Sequence, residues 1–309
     1  MAVLTTNLAG VELRSPIIGA AGTCGYVDEL ADAVSLDSFG AITTKSITRD
    51  ERRGNPTWRI LDMPAGMLNA IGLANVGLDR FLAEKLPRAA ALPTVLIGSV
   101  AGGSIEEYVM IAAAMDASQL LPIIELNVSC PNTADGLMFG EHVPSLKNLI
   151  HEVRQVVTHS KLFVKLSPGV GSLIPFAEAA IAAGVDGLTL VNTFPAMSFD
   201  VEMRQPRLSV GSGGYSGPAV HPMVVKMICD VHLAVAGPAE IPIIGVGGVM
   251  NWRAAAEFIL AGATACGIGT GLFANPRLPA RISRGLESWV RRQGCTSVME
   301  LRGMGASHS

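Results

Sequence analysis

The sequence predicts an α/β fold, a single (β/α)8 TIM barrel with insertions at the C-terminal face of its strands. Three observations point to it. Short β-rich apolar runs alternate with longer helical stretches along all 309 residues, and there are eight of them. Glycines concentrate after the last two runs, whereas a doubly wound open sheet would carry a glycine fingerprint after the first. Several of the apolar runs end in polar residues, and in a barrel those ends converge on one mouth.

Taken in order, the expected strands are Pro16–Ala20, Gly40–Thr44, Thr94–Gly98, Ile123–Asn127, Leu162–Leu166, Gly187–Val191, Pro242–Val246 and Ala265–Gly269. Helical patterns fall between them at Ile105–Met115, Val143–Val157, Ile174–Ala183, His221–Ala236 and Trp252–Ala261, with Gly184 and Gly262 placed where helices end. Two stretches break the rhythm: Arg49 to Leu78, rich in Gly, Pro and Asn, and Thr193 to Pro218 after the sixth strand. Long connections on the C-terminal side of barrel strands carry substrate contacts, so both are expected to form walls or lids of a site. No low-complexity segment, charge block or Pro/Ser-rich linker divides the chain, which predicts one domain over residues 1–309.

Lys and Arg together number 23 against 26 Asp and Glu, a balance that excludes a nucleic-acid footprint or an anionic membrane surface and favours a small ligand. No window holds 18 uninterrupted apolar residues, and the N-terminus lacks the basic start and apolar stretch of a signal peptide, so a cytoplasmic protein is expected. The five cysteines, Cys24, Cys130, Cys229, Cys266 and Cys295, are scattered with no C-x-x-C pair, which predicts free thiols and no metal site. An iron–sulfur cluster would need ligands from another chain.

The loops GVGGVMN (Gly245–Asn251) and GIGTGLF (Gly267–Phe273) follow strands seven and eight. In a barrel this pair builds a phosphate cradle, because bare glycine backbone lets N–H groups approach the anion. At the strand ends stand Lys45-Ser46, Asn127, Lys165 and Asn192-Thr193. A lysine closing the apolar run Phe163-Val164-Lys165-Leu166 would be costly to bury without an anion, so it is expected to face one in the mouth. Asn69 and Asn132 lie in turn-forming sequence and could be simple turn residues; several asparagines converging on one mouth would instead read a cyclic imide or amide. Cys130, in ELNVSCPN directly after strand four, is by setting either a buried structural thiol or a reactive one, while the other four cysteines are read as structural. His142 could pair with it as in cysteine hydrolases, but no orienting Asn or Asp can be assigned.

Together the motifs ERRGNP (Glu51–Pro56), GMLNAIGL (Gly66–Leu73), ELNVSCPN (Glu125–Asn132), FVKLSP (Phe163–Pro168), AAGVDGLTLVNT (Ala182–Thr193), GGYSGPAVHP (Gly213–Pro222), IPIIGVGGV (Ile241–Val249) and GIGTGLF resemble the dihydroorotate dehydrogenase family, specifically its class 1 members. The resemblance implies an α/β barrel that holds FMN and oxidises dihydroorotate to orotate in pyrimidine synthesis. It implies that Cys130 is the base that takes the C5 proton while hydride leaves C6 for the flavin, with Thr133–His142 as a lid. Lys45, Asn69, Asn127, Asn132, Asn192 and Thr193 would hold the substrate. Ala20, Gly22, Lys45, Ser46, Asn127 and Lys165 would contact the flavin, and Gly217, Gly247, Gly248, Gly269 and Thr270 its phosphate. The stretch from Asn192 through FDVEMRQPRL (Phe199–Leu208) looks most like the NAD-linked class 1B catalytic subunit, which implies a homodimer core within a heterotetramer whose partner subunit carries FAD and a 2Fe–2S cluster.

Two stretches depart from the family pattern. Phe194-Pro195-Ala196-Met197 stands where smaller or aliphatic residues are expected, and Ala134-Asp135-Gly136-Leu137 alters the lid. These leave two other readings in view: an FMN enzyme for another dihydropyrimidine, and a phosphate-binding barrel lyase or non-catalytic subunit without flavin chemistry.

Overall fold

Residues 3–129 and 139–306 are described by the computed structural model. The chain opens with a hairpin of β1 (Thr6–Leu8) and β2 (Val11–Leu13) and enters the barrel at β3 (Ile17–Gly19). β4 (Ala41–Thr43) is followed by the first insertion, which carries β5 (Ile60–Met63) and β6 (Gly66–Asn69), then by α1 (Leu78–Arg80) and β7 (Val95–Val100). Regular alternation runs through α2 (Ile105–Ala117), β8 (Ile123–Asn127), α3 (Val143–Val156), β9 (Lys161–Leu166), α4 (Ile174–Ala182) and β10 (Gly187–Leu190). The second insertion holds β11 (Phe194–Met197), β12 (Phe199–Asp200), β13 (Gln205–Pro206) and β14 (Ser212–Ser216). The chain then passes through α5 (His221–Val231), β15 (Ile243–Val246), α6 (Trp252–Leu260), β16 (Ala265–Ile268), α7 (Gly271–Ala274) and α8 (Leu278–Arg292).

Eight parallel strands close on themselves in the order β3, β4, β7, β8, β9, β10, β15, β16, the (β/α)8 barrel expected from the sequence. Each lies within two residues of its expected run. The runs are apolar over most of their length because both faces are covered. Ile17, Ile42, Leu96, Ile124 and Leu162 point outward into a core shared with helix residues such as Ile111, Leu149 and Phe258. Their neighbours Ile18, Ala41, Ile97, Ile123 and Phe163 point into the barrel and meet Leu8 and Leu13 of the N-terminal hairpin, which closes the bottom.

Helix boundaries follow local chemistry. Ser104 caps α2 by accepting from the Glu107 N–H, and Asn251 caps α6 by accepting from Arg253 and Ala254. Prolines sit in the first turns of α3, α4, α5 and α8, where no N–H is needed. One helical stretch among the described residues, Pro218–Ala236, is apolar and long enough by composition to cross a membrane. Its Val224, Ile228, Val231 and Ala236 are buried in the outer core, which accounts for that composition in a barrel helix.

The two insertions join into one feature. β11, β14, β6 and β5 form a four-stranded antiparallel sheet, with Gly214 opposite Asn69 and Phe194 opposite Tyr215. Leu61, Leu68 and Leu208 form its own small core, supported by Tyr215 and Met63. Two walls were expected separately; a single sheet is observed.

Candidate active site

Up the inside of the barrel the side chains change from apolar to polar. Above Phe163 and Ile123 come Ser99, Glu125, Thr189 and Lys165, all buried. Thr189 lies opposite Lys165 in the ladder and donates from Oγ1 to Glu125 Oε2 at 2.7 Å. Above this layer opens a cavity of about 420 Å³, in the range of small-molecule sites. Every sequence-predicted site residue within the described chain lines it. Cys130 and Asn132 lie outside the described residues.

One end of the cavity is made of Gly217, Gly247, Gly248, Gly269 and Thr270. A Cβ on Gly248, which has φ +69°, would stand 2.7 Å from the Gly217 carbonyl oxygen, so only glycine lets these turns meet. Thr270 and Ser216 share a hydroxyl contact at 2.6 Å. The N–H groups of Gly248 and Thr270 make no hydrogen bond among the described residues. Uncommitted backbone donors lining a cavity in glycine turns are what an anion such as phosphate requires.

The middle is an amide and hydroxyl network. Asn127 Nδ2 donates to Ser46 Oγ at 3.1 Å, and Ser46 meets Ser99 at 2.9 Å. Asn192 Nδ2 donates to Asn127 Oδ1 at 3.2 Å and to Ser129 Oγ at 2.6 Å. The buried Tyr108 hydroxyl donates to the Asn127 carbonyl at 2.6 Å, tying α2 to the strand end. Each amide is therefore orientated before any ligand arrives. Lys165 is 6% exposed and lines this part of the cavity, and its ammonium has no hydrogen-bond or ion-pair partner among the described residues. Ala20 and Gly22 supply small surfaces beside it.

Two cations belong to the same cavity. Lys45 and Arg59 both line the cavity. Burial first, and then the Arg59 guanidinium, hold the Lys45 ammonium below the usual lysine range, with Glu29 opposing them. Glu29 is itself a structural anchor. Burial would raise its carboxyl, but the Val27 and Tyr26 N–H groups and the Lys85 ammonium outweigh that and bring its pKa down to about 2. It thereby fixes the loop whose Gly25 carbonyl accepts from the Lys45 N–H at 2.9 Å. Asn69 donates to the Gly214 carbonyl at 3.1 Å, and Thr193 lies so near Gly214 that a Cβ there would be 1.8 Å from its hydroxyl.

The sheet built from the insertions roofs the cavity with Ile60, Met67, Phe194 and Tyr215. These, and Arg59, were not singled out as ligand contacts from the sequence, because their approach depends on the pairing of two distant insertions. Phe194, noted as a departure, proves to be a lining residue, and Pro195 sits opposite Gly214 in the sheet.

Two of the remaining cysteines, Cys24 and Cys266, and His142 also have defined places, while Cys229 and Cys295 are half-buried. Burial pushes the Cys24 thiol up to about 12 and raises Cys266 as well, as suits packed, unreactive sulfur. His142 precedes α3, where its Nδ1 meets Ser145 Oγ at 2.8 Å. Of the expected lid, residues 133–138 lie outside the described chain. Phe139 is fully buried edge-on against Tyr108, and Gly140 N–H donates to the Val128 carbonyl at 2.9 Å, so this end is anchored in the core.

Comparison with known proteins agrees with this geometry. The family model described as dihydroorotate dehydrogenase matches residues 3–290. The chain is 42% identical over 301 residues to a protein of Pelobacter propionicus named dihydroorotate dehydrogenase B (NAD(+)), catalytic subunit, with 97% of each chain covered. A protein of Geotalea uraniireducens with the same name is 41% identical over 301 residues, again 97% of each chain. One from Bacteroides thetaiotaomicron, also so named, is 40% identical over 304 residues, which is 98% of this chain and 99% of that relative.

Proposed function

The chain belongs to the dihydroorotate dehydrogenase family, and from that premise we propose that it oxidises (S)-dihydroorotate to orotate in pyrimidine synthesis with FMN as its cofactor. The observation that carries the reading is the set of groups brought to one cavity: glycine turns with the uncommitted Gly248 and Thr270 N–H groups, a buried lysine beside fixed amides, and two cations beside an apolar sheet. FMN suits that set. Gly217, Gly247, Gly248, Gly269 and Thr270 would take the phosphate; Ala20, Gly22, Ser46, Asn127 and Lys165 would take the ring. Bound there, FMN supplies the hydride acceptor that protein side chains lack.

The other roles fall to the chain itself. Lys45 and Arg59 attract the substrate carboxylate. Asn69, Asn127, Asn132, Asn192 and Thr193 offer donors and acceptors to the cyclic imide, and pre-set amides spend little on ordering at binding. Lys165 offsets negative charge in the middle of the cavity. Cys130 Sγ takes the proton from the ring carbon; a thiol is basic enough near neutral pH and follows Ser129 in the chain. Ile60, Met67, Phe194 and Tyr215 keep water from the reacting end.

Electrons would leave to NAD through a partner subunit carrying FAD and a 2Fe–2S cluster. The relatives' description as the catalytic subunit of an NAD(+) enzyme supports this. Residues 1–309 would act as one cytoplasmic barrel domain, paired as a homodimer core within a heterotetramer.

Anaerobic titration of the purified protein with dihydroorotate tests the reading. Bleaching of the flavin bands, with reoxidation by NAD only when the partner subunit is added, is expected. A yellow protein that dihydroorotate leaves oxidised would point to another dihydropyrimidine, and a colourless one unable to take up FMN would favour a barrel without flavin chemistry.

Arg59→Ala is expected to raise the KM for dihydroorotate about tenfold with a smaller change in kcat, since a charge-assisted contact to the carboxylate serves ground state and transition state alike. An unchanged KM would remove Arg59 from substrate binding.

A further inference from the structure

Outside the cavity, behind the glycine cradle, one side chain is held from three directions. His221, the first residue of α5, directs Nδ1 at the Gly247 carbonyl oxygen at 2.9 Å and Nε2 at Glu257 Oε2 at 2.9 Å. Its ring stacks on Phe258, with centroids 4.6 Å apart and planes 28° from parallel. Glu257 and Phe258 both belong to α6, so the imidazole is gripped between two helices, with the side chain only 12% exposed. The fit against the cradle is equally close: a Cβ on Gly248 would lie 2.8 Å from His221 Cβ, and one on Gly247 2.6 Å from Val224 Cγ2, one turn along α5.

A carbonyl oxygen can only accept, so Nδ1 carries the proton it shares with Gly247. In a trans peptide the carbonyl and the following N–H point to opposite sides, and the Gly247–Gly248 bond is trans. His221 does not line the cavity, whereas Gly247 and Gly248 do. A carbonyl turned out toward His221 therefore turns the Gly248 N–H inward, and that N–H has no other partner among the described residues. The geometry points to His221 as the positioning residue of the phosphate cradle, one that sets the direction of a peptide it never shares with the ligand.

The need for such a device follows from the residues themselves. Gly247 and Gly248 have φ of +156° and +69°, and glycine resists neither these values nor their alternatives. Unheld, the peptide can rotate and present a carbonyl oxygen to an anion. The hydrogen bond to Nδ1 selects one of the two faces, and Glu257 with Phe258 keeps the ring from turning away.

This inference rests on the reading of the glycine end as a phosphate site, and the experiment separates the two. Apoprotein is titrated with FMN and with riboflavin, which lacks the phosphate, and binding is followed by flavin fluorescence. The wild type is expected to prefer FMN. His221→Gln can still reach Glu257 but places no donor at the Nδ1 position, and should cut that preference about tenfold. His221→Asn puts its amide nitrogen where Nδ1 stood and should recover the larger part of it. His221→Gln with the wild-type ratio of the two affinities would overturn the inference, and so would an equal loss of FMN and riboflavin, the mark of a merely structural role. A wild type that binds both flavins alike would instead remove the phosphate site, and the inference with it.

Discussion

Cys130→Ser is expected to slow reduction of the bound flavin by dihydroorotate by at least about 10²-fold, the usual range for loss of a positioned general base, while the protein stays yellow. The proton to be removed lies on a carbon beside an amide carbonyl, a weak acid, so the base must be largely available near neutral pH and still strong. A free thiol ionises near 8.5, whereas an alcohol hydroxyl needs a separate base to assist it. The neighbouring Ser129 is tied to the amides by Asn192 Nδ2 at 2.6 Å and donates its own N–H to Asn127 Oδ1 at 3.4 Å. Its hydroxyl is thus already engaged and is no substitute base. Anaerobic stopped-flow absorbance at the flavin band measures the step directly. A Cys130→Ser protein that bleached at the wild-type rate would strip Cys130 of its role.

Lys165→Ala should be the next most damaging change, weakening FMN binding about 10²-fold, the size of losing a charge-assisted contact in a dry site, and making the remaining flavin harder to reduce. Lys165 is the cation set in the polar layer, opposite Asn127 on one side and Thr189 on the other. Glu125 stands two residues before Asn127 on the same inner face, 3% exposed, with Oε2 bonded to Thr189 and Oε1 without a partner among the described residues. Removing the ammonium takes a positive charge out of the buried layer that also holds Glu125, so a ring that must take up electrons would lose favourable charge there. A lower flavin midpoint potential and a larger FMN Kd would both follow. To separate electrostatics from lost packing, Lys165→Met combined with Glu125→Gln should recover thermal stability without restoring FMN affinity. If Lys165→Ala bound FMN and kept its potential as the wild type does, the lysine would have no part in the site.

The strand positions were legible because physics at that level is local. A strand covered by helices outside and packed side chains inside must be apolar on both faces, and Ile123-Ile124 or Leu162-Phe163-Val164 can hardly be read otherwise. The cradle was legible for a similar reason, since glycine-rich turns after the last two strands of a barrel have few other uses. Lys165 stood out because a lysine at the end of such a run is expensive unless an anion meets it. Lys45, Ser46 and the strand-end asparagines followed from the same convergence.

What the sequence by itself determined, then, is the barrel, the side of it that carries the cavity, and the groups on the strand ends, because each depends on burial or turn chemistry within a few residues. The tertiary structure alone decided the roof and the supports. Asn69 meets Gly214 across 145 positions of chain, a pairing set by how the closed barrel brings two insertions over one mouth. Arg59, Phe194 and Tyr215 reach the cavity only through that sheet. His221 reads locally as the start of a helix, and acquires its grip on Gly247 only when α5 and α6 pack side by side behind the cradle. Contacts of this kind are settled by chain closure and packing, which no window of sequence contains.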